Sequence, residues 1–310
     1  MKSRPLAAMP VARARFGAAP VRWSEREVAL STERIRWYVR QTLLYVALIV
    51  SAAAFLIPLL WMLSTSLKEQ GKVMQTPPQF IPNPVDWGNY KEALTAEDFP
   101  FLTLLKNTMT YTVFETLGIM IVCPLVAYSF SRLRWPGRDA FFVATLASMM
   151  IPGTVTMVPV FIFFKWLNWI GTMLPLIVPG YFGSAFMIFL LRQFFGSIPM
   201  ELTESALLDG ASHLRILWSL IVPLAKPALA AVALFEFLYC WNDFMGPLIY
   251  LQSRSLFTFS IGLYAFRERW EIRYDLMMAA ATVVTLPILV LFFFAQRTFI
   301  EGITLTGMKG

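Results

Sequence analysis

The sequence predicts an all-α membrane protein with six transmembrane helices, and three observations lead there. Apolar residues make up 57% of the chain and charged residues only 15%, against about 25% charged in ordinary soluble domains. Six stretches are apolar and long enough to cross a hydrocarbon core about 30 Å thick, which takes about 20 residues of helix. Lysines and arginines are also shared unequally between alternate connecting segments.

The spans follow in order. Residues 42–63 contain no charge. Residues 107–130 are interrupted only by Glu115, and residues 140–164 are uncharged but contain Pro152-Gly153 and Pro159. Residues 173–191 hold Pro175 and Pro179-Gly180, and residues 227–244 carry Glu236 and Asp243. Residues 276–296 are free of charge. Seventeen lysines and arginines fall on the side of the two termini and nine on the other. Basic residues accumulate on the cytoplasmic face, so both termini are expected inside, in the inner or plasma membrane of the cell.

This divides the chain into a basic arm (1–41), a transmembrane domain (42–296) and a short cytoplasmic tail (297–310). The arm holds nine of the basic residues, so membrane orientation accounts for the net charge of +7 without any nucleic-acid partner. It lacks the apolar core of a signal peptide and reads as a largely flexible cytoplasmic segment, with Trp37 and Tyr38 as an interfacial anchor. Cys123 and Cys240 fall inside spans, where a small apolar packing role is expected and no disulfide framework is implied.

Signs of chemistry are few. The single histidine, His213, has no cluster of cysteines or histidines around it in sequence, so no metal site is expected. Gly71-Lys72 lacks the upstream glycine and the following Ser or Thr of a phosphate-binding loop, so any ATP must be hydrolysed by another chain. Glu115, Glu236 and Asp243 lie within or at the edge of spans. A charge at the bilayer centre costs about 2.5 to 3.5 kcal/mol, so each should face a bundle interior, a water-filled cavity or the interface. A place on a translocation path and a structural hydrogen bond to a neighbouring helix are both open to them. The breaks at Pro159, Pro179 and Gly180 are open to the same two readings, a path or a packing kink.

The most informative segment is the loop 198–227. Pro199 suits a helix start and Gly210 a helix stop, so Glu201 to Asp209 should form about two turns of helix. Ser212 can then cap a second helix whose Leu214, Leu217, Trp218 and Ile221 recur at helical spacing, before Pro223 and Pro227 turn the chain back into the membrane. A helix of two turns is not stable alone, which suggests that it docks on another protein.

Glu204-Ser205-Ala206, then Asp209-Gly210, Ile221-Val222-Pro223-Leu224 and Pro227, resemble the EAA loop of ABC importer permeases. Ser205 departs from the usual alanine, but both are small. Ser66-Leu67-Lys68, Pro82, Asn89-Tyr90, Asn107, Ala127-Tyr128, Arg132-Leu133, Trp241-Asn242-Asp243-Phe244, Pro247-Leu248 and Phe299-Ile300-Glu301-Gly302 place the likeness in the carbohydrate branch, similar to MalG-type subunits. It covers roughly residues 42–310 and leaves the arm outside.

The resemblance implies a type I importer permease fold that binds no cofactor itself. It also implies a second homologous permease, an ATPase dimer holding ATP and magnesium, a periplasmic or lipid-anchored solute-binding protein, and a disaccharide or oligosaccharide substrate. It assigns ATPase coupling to Glu201, Glu204, Ser205, Ala206, Asp209, Gly210 and Pro223. Glu204 would meet a basic residue of the ATPase, and Gly302, Lys309 and Gly310 of the tail would add a second contact. Residues near Glu115, Pro159, Pro179, Gly180, Glu236 and Asp243 would line the path. A secondary transporter using Glu115, Glu236 or Asp243 as a proton relay is the competing reading, and it leaves the 198–227 loop without a purpose. An intramembrane enzyme would need a positioned acid, base and nucleophile, which the sequence does not offer.

Overall fold

The computed structural model describes residues 23–97, 99–267 and 272–306. Among these residues the regular structure is entirely helical. The chain forms two compact units, Met1–Leu59 and Leu60–Gly310. The first contains most of α1 (Trp23–Ser66), a continuous helix of 44 residues, twice the length of the predicted span at its core. Residues Arg36–Ser66 form its membrane-length apolar part.

In the second unit, α2 (Gly88–Thr95) is followed by α3 (Phe101–Arg132), α4 (Arg138–Ser148) and α5 (Gly153–Trp166). Next come α6 (Leu174–Ile177), a 3₁₀ turn at Val178–Phe182, and α7 (Ala185–Ser197). The loop region is built of α8 (Met200–Leu208), α9 (His213–Ile216), a π turn at Leu217–Ile221 and α10 (Val222–Leu224). Finally α11 (Lys226–Asn242), α12 (Met245–Tyr250), α13 (Phe259–Ala265) and α14 (Tyr274–Thr306) complete the chain. Four helices or near-continuous helical segments are long and apolar enough to span a membrane, or six if each of two bent pairs counts as one span.

Those bent pairs are where the structure departs from six plain rods. The third predicted span is two helices, α4 and α5, meeting at 97°. Pro152 sits in extended conformation at the break and has no N–H to continue the first helix. The segment His213–Leu224 meets α11 at 84°, with Pro227 in the first turn of α11, the one helical position that loses nothing by lacking an N–H.

α3 is the hub, packing against α7, α11 and the 3₁₀ turn. Near one end, Ile119, Cys123, Ala127 and Tyr128 of α3 join Leu191 and Phe195 of α7 and Ile221, Ala225 and Val232 in one buried cluster. Near the other, Leu104 meets Ala93, Phe99, Trp241, Phe259, Phe266, Leu276 and Ala280. Polar side chains pin the second end. The Asn107 amide donates to the carbonyls of Ser255 (2.8 Å) and Phe257 (2.9 Å), and the Thr108 hydroxyl accepts from the N–H of Phe259 at 2.9 Å. Asn89 donates to the carbonyls of Ser66 and Lys68 at 3.1 and 2.8 Å, while Arg273 bridges Glu92 (2.9 Å) and Asp275 (2.8 Å).

The tightest backbone approach is between α3 and the 3₁₀ turn. A Cβ on Gly118 would lie 2.9 Å from the Gly180 carbonyl carbon, and one on Gly180 would lie 2.8 Å from the Glu115 carbonyl oxygen. Both opposing atoms are backbone and cannot step aside, so the crossing requires glycine on both sides. Gly180→Val should therefore lose at least the 1–3 kcal/mol typical of overpacking. Gly196→Ala, with nothing within 4 Å of the added methyl, should be neutral. Size-exclusion profiles and melting of tagged protein in detergent check both, and a monodisperse Gly180→Val of unchanged stability would contradict the crossing.

Candidate functional site

The predicted loop helix forms one residue earlier than expected, as α8, with Pro199 as its N-cap and Gly210 just past its end. Gly210 has φ +78°, in the left-handed region. Its N–H donates to the Leu207 carbonyl (3.0 Å), and the N–H of Ala211 donates to that of Ala206 (2.9 Å). This pair of bonds is a Schellman closure, which calls for glycine at that position. Ser212 then caps α9 by accepting from the Arg215 N–H at 3.4 Å, as its position in the sequence predicts.

α8 has an inner and an outer face. Thr203 is buried and Ala206 packs against the core cluster. Glu201, Glu204, Ser205 and Asp209 are exposed, and Leu208 is 90% exposed beside them. The Ser205 hydroxyl donates to the Glu201 carbonyl at 2.8 Å, so its extra oxygen is absorbed within the helix and adds no bulk to the outer face. Pro223 is exposed in the last turn before the 84° bend.

What holds α8 in place was not identified from sequence. Arg132, at the end of α3 and only 6% exposed, turns its guanidinium onto the chain leading into α8. Nη2 donates to the carbonyls of Phe195 (2.5 Å) and Ile198 (2.6 Å), and Nη1 to that of Pro199 (3.4 Å). One cation thus adds a charged donor to carbonyls at the C-terminus of α7, where Phe195 also accepts the Ile198 N–H (3.2 Å), and sets the start of α8. Tyr128, one turn earlier on α3, hydrogen-bonds its hydroxyl to Nδ1 of His213 at 3.2 Å, tying α9 to the same helix. An arginine four residues after a tyrosine at the end of a span was the available signal.

A second constellation lies inside the bundle. Glu115 on α3 and Glu236 and Cys240 on α11 are all buried, and their polar atoms lie within 4.8 Å of one another. The Cys240 thiol donates to Glu115 Oε2 at 3.0 Å, so this cysteine is a polar partner and not the plain packing residue expected. Gly180 presses on Glu115 from the other side. One turn along, the Tyr111 hydroxyl donates to Asp243 Oδ2 (3.0 Å) and the Gly246 N–H to Oδ1 (3.1 Å), so Asp243 is built into the protein. Spacing of four, Tyr111 to Glu115 and Glu236 to Cys240, could have revealed both extra members, since such pairs share a helix face. The three clustered groups could offer ligand atoms to a cation, but they also satisfy one another as a hydrogen-bonded set.

Of the six candidate path residues, the fold gathers Glu115, Gly180, Glu236 and Asp243 around this cluster. Pro179 is exposed beside it. Pro159 is exposed on α5. In the tail, Gly302 falls within the backbone of α14, while Lys309 and Gly310 lie outside the described residues.

The chain is similar to named proteins along most of its length. The arabinooligosaccharide transport system permease protein AraQ of Bacillus subtilis is 30% identical over 262 residues, covering 83% of this chain and 91% of AraQ. The galactooligosaccharide transport system permease protein GanQ of the same organism is 30% identical over 285 residues, covering 91% of this chain and 100% of GanQ. A crystal structure of a bacterial ABC transporter that imports the acidic polysaccharide alginate contains a chain that superposes with a TM-score of 0.72 at 26% identity, over 86% of this chain and 98% of that one. Residues 120–304, which include the loop, its Arg132 clamp and two of the buried carboxylates, match the family model. The chain is a multi-pass membrane protein that belongs to the family of binding-protein-dependent transport system inner membrane components.

Proposed function

We propose that this chain is the permease subunit through which an ATP-driven importer passes a sugar, an oligosaccharide or disaccharide, delivered by an external solute-binding protein. The sugar is inferred from relatives such as AraQ and GanQ. In this reading the bent pairs count as single spans, giving six, with both termini, the 1–41 arm and the 297–310 tail in the cytoplasm. A second homologous permease completes the pore and an ATPase dimer supplies the ATP-magnesium chemistry. Nothing supports the proton-coupled carrier weighed from Glu115, Glu236 and Asp243.

The observation that carries the mechanism is a short helix whose outer face is left open while its inner face is clamped. Glu204 and Leu208 of α8 offer a charge and an apolar knob to a cleft of the ATPase, with Glu201, Ser205 and Asp209 at the rim. Ala206 and the Schellman turn at Gly210 keep the helix close to the bundle, and Pro223 redirects the chain into α11. When ATP closes the ATPase dimer, the force on α8 passes through the Arg132 fork into α3. Because α3 packs on α7 and α11, it reaches the Glu115–Glu236–Cys240 cluster and Asp243, which we place beside the translocation path with Gly180 and Pro179. Gly302, Lys309 and Gly310 of the tail add a second ATPase contact.

Three outcomes test this. Glu204→Lys should insert normally but lose at least tenfold in binding-protein-stimulated ATPase activity and co-purify poorly with the ATPase. Wild-type coupling in that variant would remove α8 from the mechanism. Arg132→Leu leaves three carbonyls without their charged donor, at about 1.5 to 3 kcal/mol per lost bond. It should uncouple ATP hydrolysis from uptake more severely than Arg132→Lys, as measured in proteoliposomes. Glu236→Gln keeps a hydrogen-bonding group of the same shape and should retain assembly, whereas Glu236→Leu should destabilise the complex by about 1 to 3 kcal/mol by stranding its neighbours. Thermal unfolding of the two variants checks the contrast.

A further inference from the structure

We propose that α1 carries a binding site for an anionic phospholipid, with Arg36 and Arg40 holding the headgroup phosphate and Val39, Leu43 and Leu44 guiding an acyl chain. These five residues line one groove of about 420 Å³. Positions 36, 40, 43 and 44 follow helical spacing, so the two guanidinium groups and the apolar track share a face. Arg40 directly precedes the uncharged apolar run of α1, and Arg36 lies one turn before it. Their level is also marked by Trp37 and Tyr38, in edge contact at 4.9 Å and exposed by 56% and 62%. Amphipathic aromatic rings at the end of an apolar helix take the headgroup level of a bilayer.

Charge and residue type identify the occupant. No acidic residue occurs between Glu33 and Glu69, and the first 41 residues carry nine basic against three acidic side chains. Glu33 lies one turn before Arg36, but basic residues outnumber acidic ones there and none of the opposite sign follows Arg40 before Glu69, so the net charge around Arg36 and Arg40 is positive. Eight of those nine basic residues are arginines, and the planar guanidinium fork matches a phosphate through two parallel hydrogen bonds, which a lysine cannot do. Val39, Leu43 and Leu44, exposed by 52%, 64% and 48%, offer no partner for a free phosphate but suit the chain attached to a lipid phosphate. A basic segment that served only to orient the protein during insertion would be indifferent to lipid identity afterwards, and the two roles differ on that point.

The test uses the assembled transporter in nanodiscs. A photoactivatable phosphatidylglycerol is crosslinked and the modified peptides are mapped, with photoactivatable phosphatidylcholine and excess inorganic phosphate as comparisons. Wild type should be labelled on the peptide spanning residues 36–44 by phosphatidylglycerol and far less by phosphatidylcholine. Inorganic phosphate should not displace the label. At about fivefold in affinity per basic residue near a membrane surface, Arg36→Gln with Arg40→Gln should weaken labelling roughly 25-fold. The double lysine variant, keeping charge but not the fork, should lie between. Accessibility of a cysteine placed near residue 5 verifies that the variants insert in the same orientation. Equal labelling by the two lipids, labelling unchanged in the glutamine variant, or displacement by inorganic phosphate would each overturn the proposal.

Discussion

Inside a bilayer, a backbone group freed from its helix has no water to turn to, and that constraint governs the second unit of this protein. The chain breaks its helices between α4 and α5, between α6 and α7, and before α11, and the freed groups find partners within the protein. At the start of α7 the Ser184 N–H donates to Cys123 Sγ at 3.4 Å, and the Gly183 N–H donates to the Gly180 carbonyl at 3.2 Å. Before α11 the Ala225 N–H reaches the Ile221 carbonyl at 2.9 Å. Breaks satisfied in this way hold one geometry.

The same rule explains why α3 is the hub. Polar residues along its length hold the neighbouring segments. Asn107 and Thr108 receive the chain before α13, Arg132 and Tyr128 receive the α8–α9 platform, and Glu115 meets α11 and the 3₁₀ turn between them. Each converts an irregular stretch of backbone or a buried carboxyl into a contact with one straight helix. The clamp at Arg132 is built from charge-assisted bonds, roughly twice as strong as neutral ones.

The residues that resemble a transport-permease pattern acquire separate physical reasons in this frame. Asn89 and Asn107 terminate open carbonyls, Gly210 supplies a left-handed turn, and Asp243 caps the entry to α12 through the Gly246 N–H. Ser205 replaces a smaller residue at no cost in space, since its hydroxyl folds back on Glu201. Pro159 is the instructive exception. Its ring interrupts an otherwise uniform apolar run and so drew attention, and it lies exposed on α5.

By itself the sequence determined the apolar segments, the short helix closed by Gly210, the cap at Ser212 and the identity of the buried carboxylates. Each depends on local composition or on spacing within a few residues, where helix geometry translates position directly into place. Tertiary structure alone decided that two helix pairs bend by 97° and 84°, that Gly118 and Gly180 let two backbones touch, and that Arg132 reaches 63 to 67 residues along the chain to the start of α8. It also decided that Glu115, separated from Cys240 by 125 residues, shares a hydrogen bond with it. Those contacts depend on which helix lies beside which, and in a chain this uniformly apolar the hydrophobic pattern fits many pairings equally well. The hydrogen bonds that groups such as Asn107, Arg132 and Cys240 make across the fold select among them.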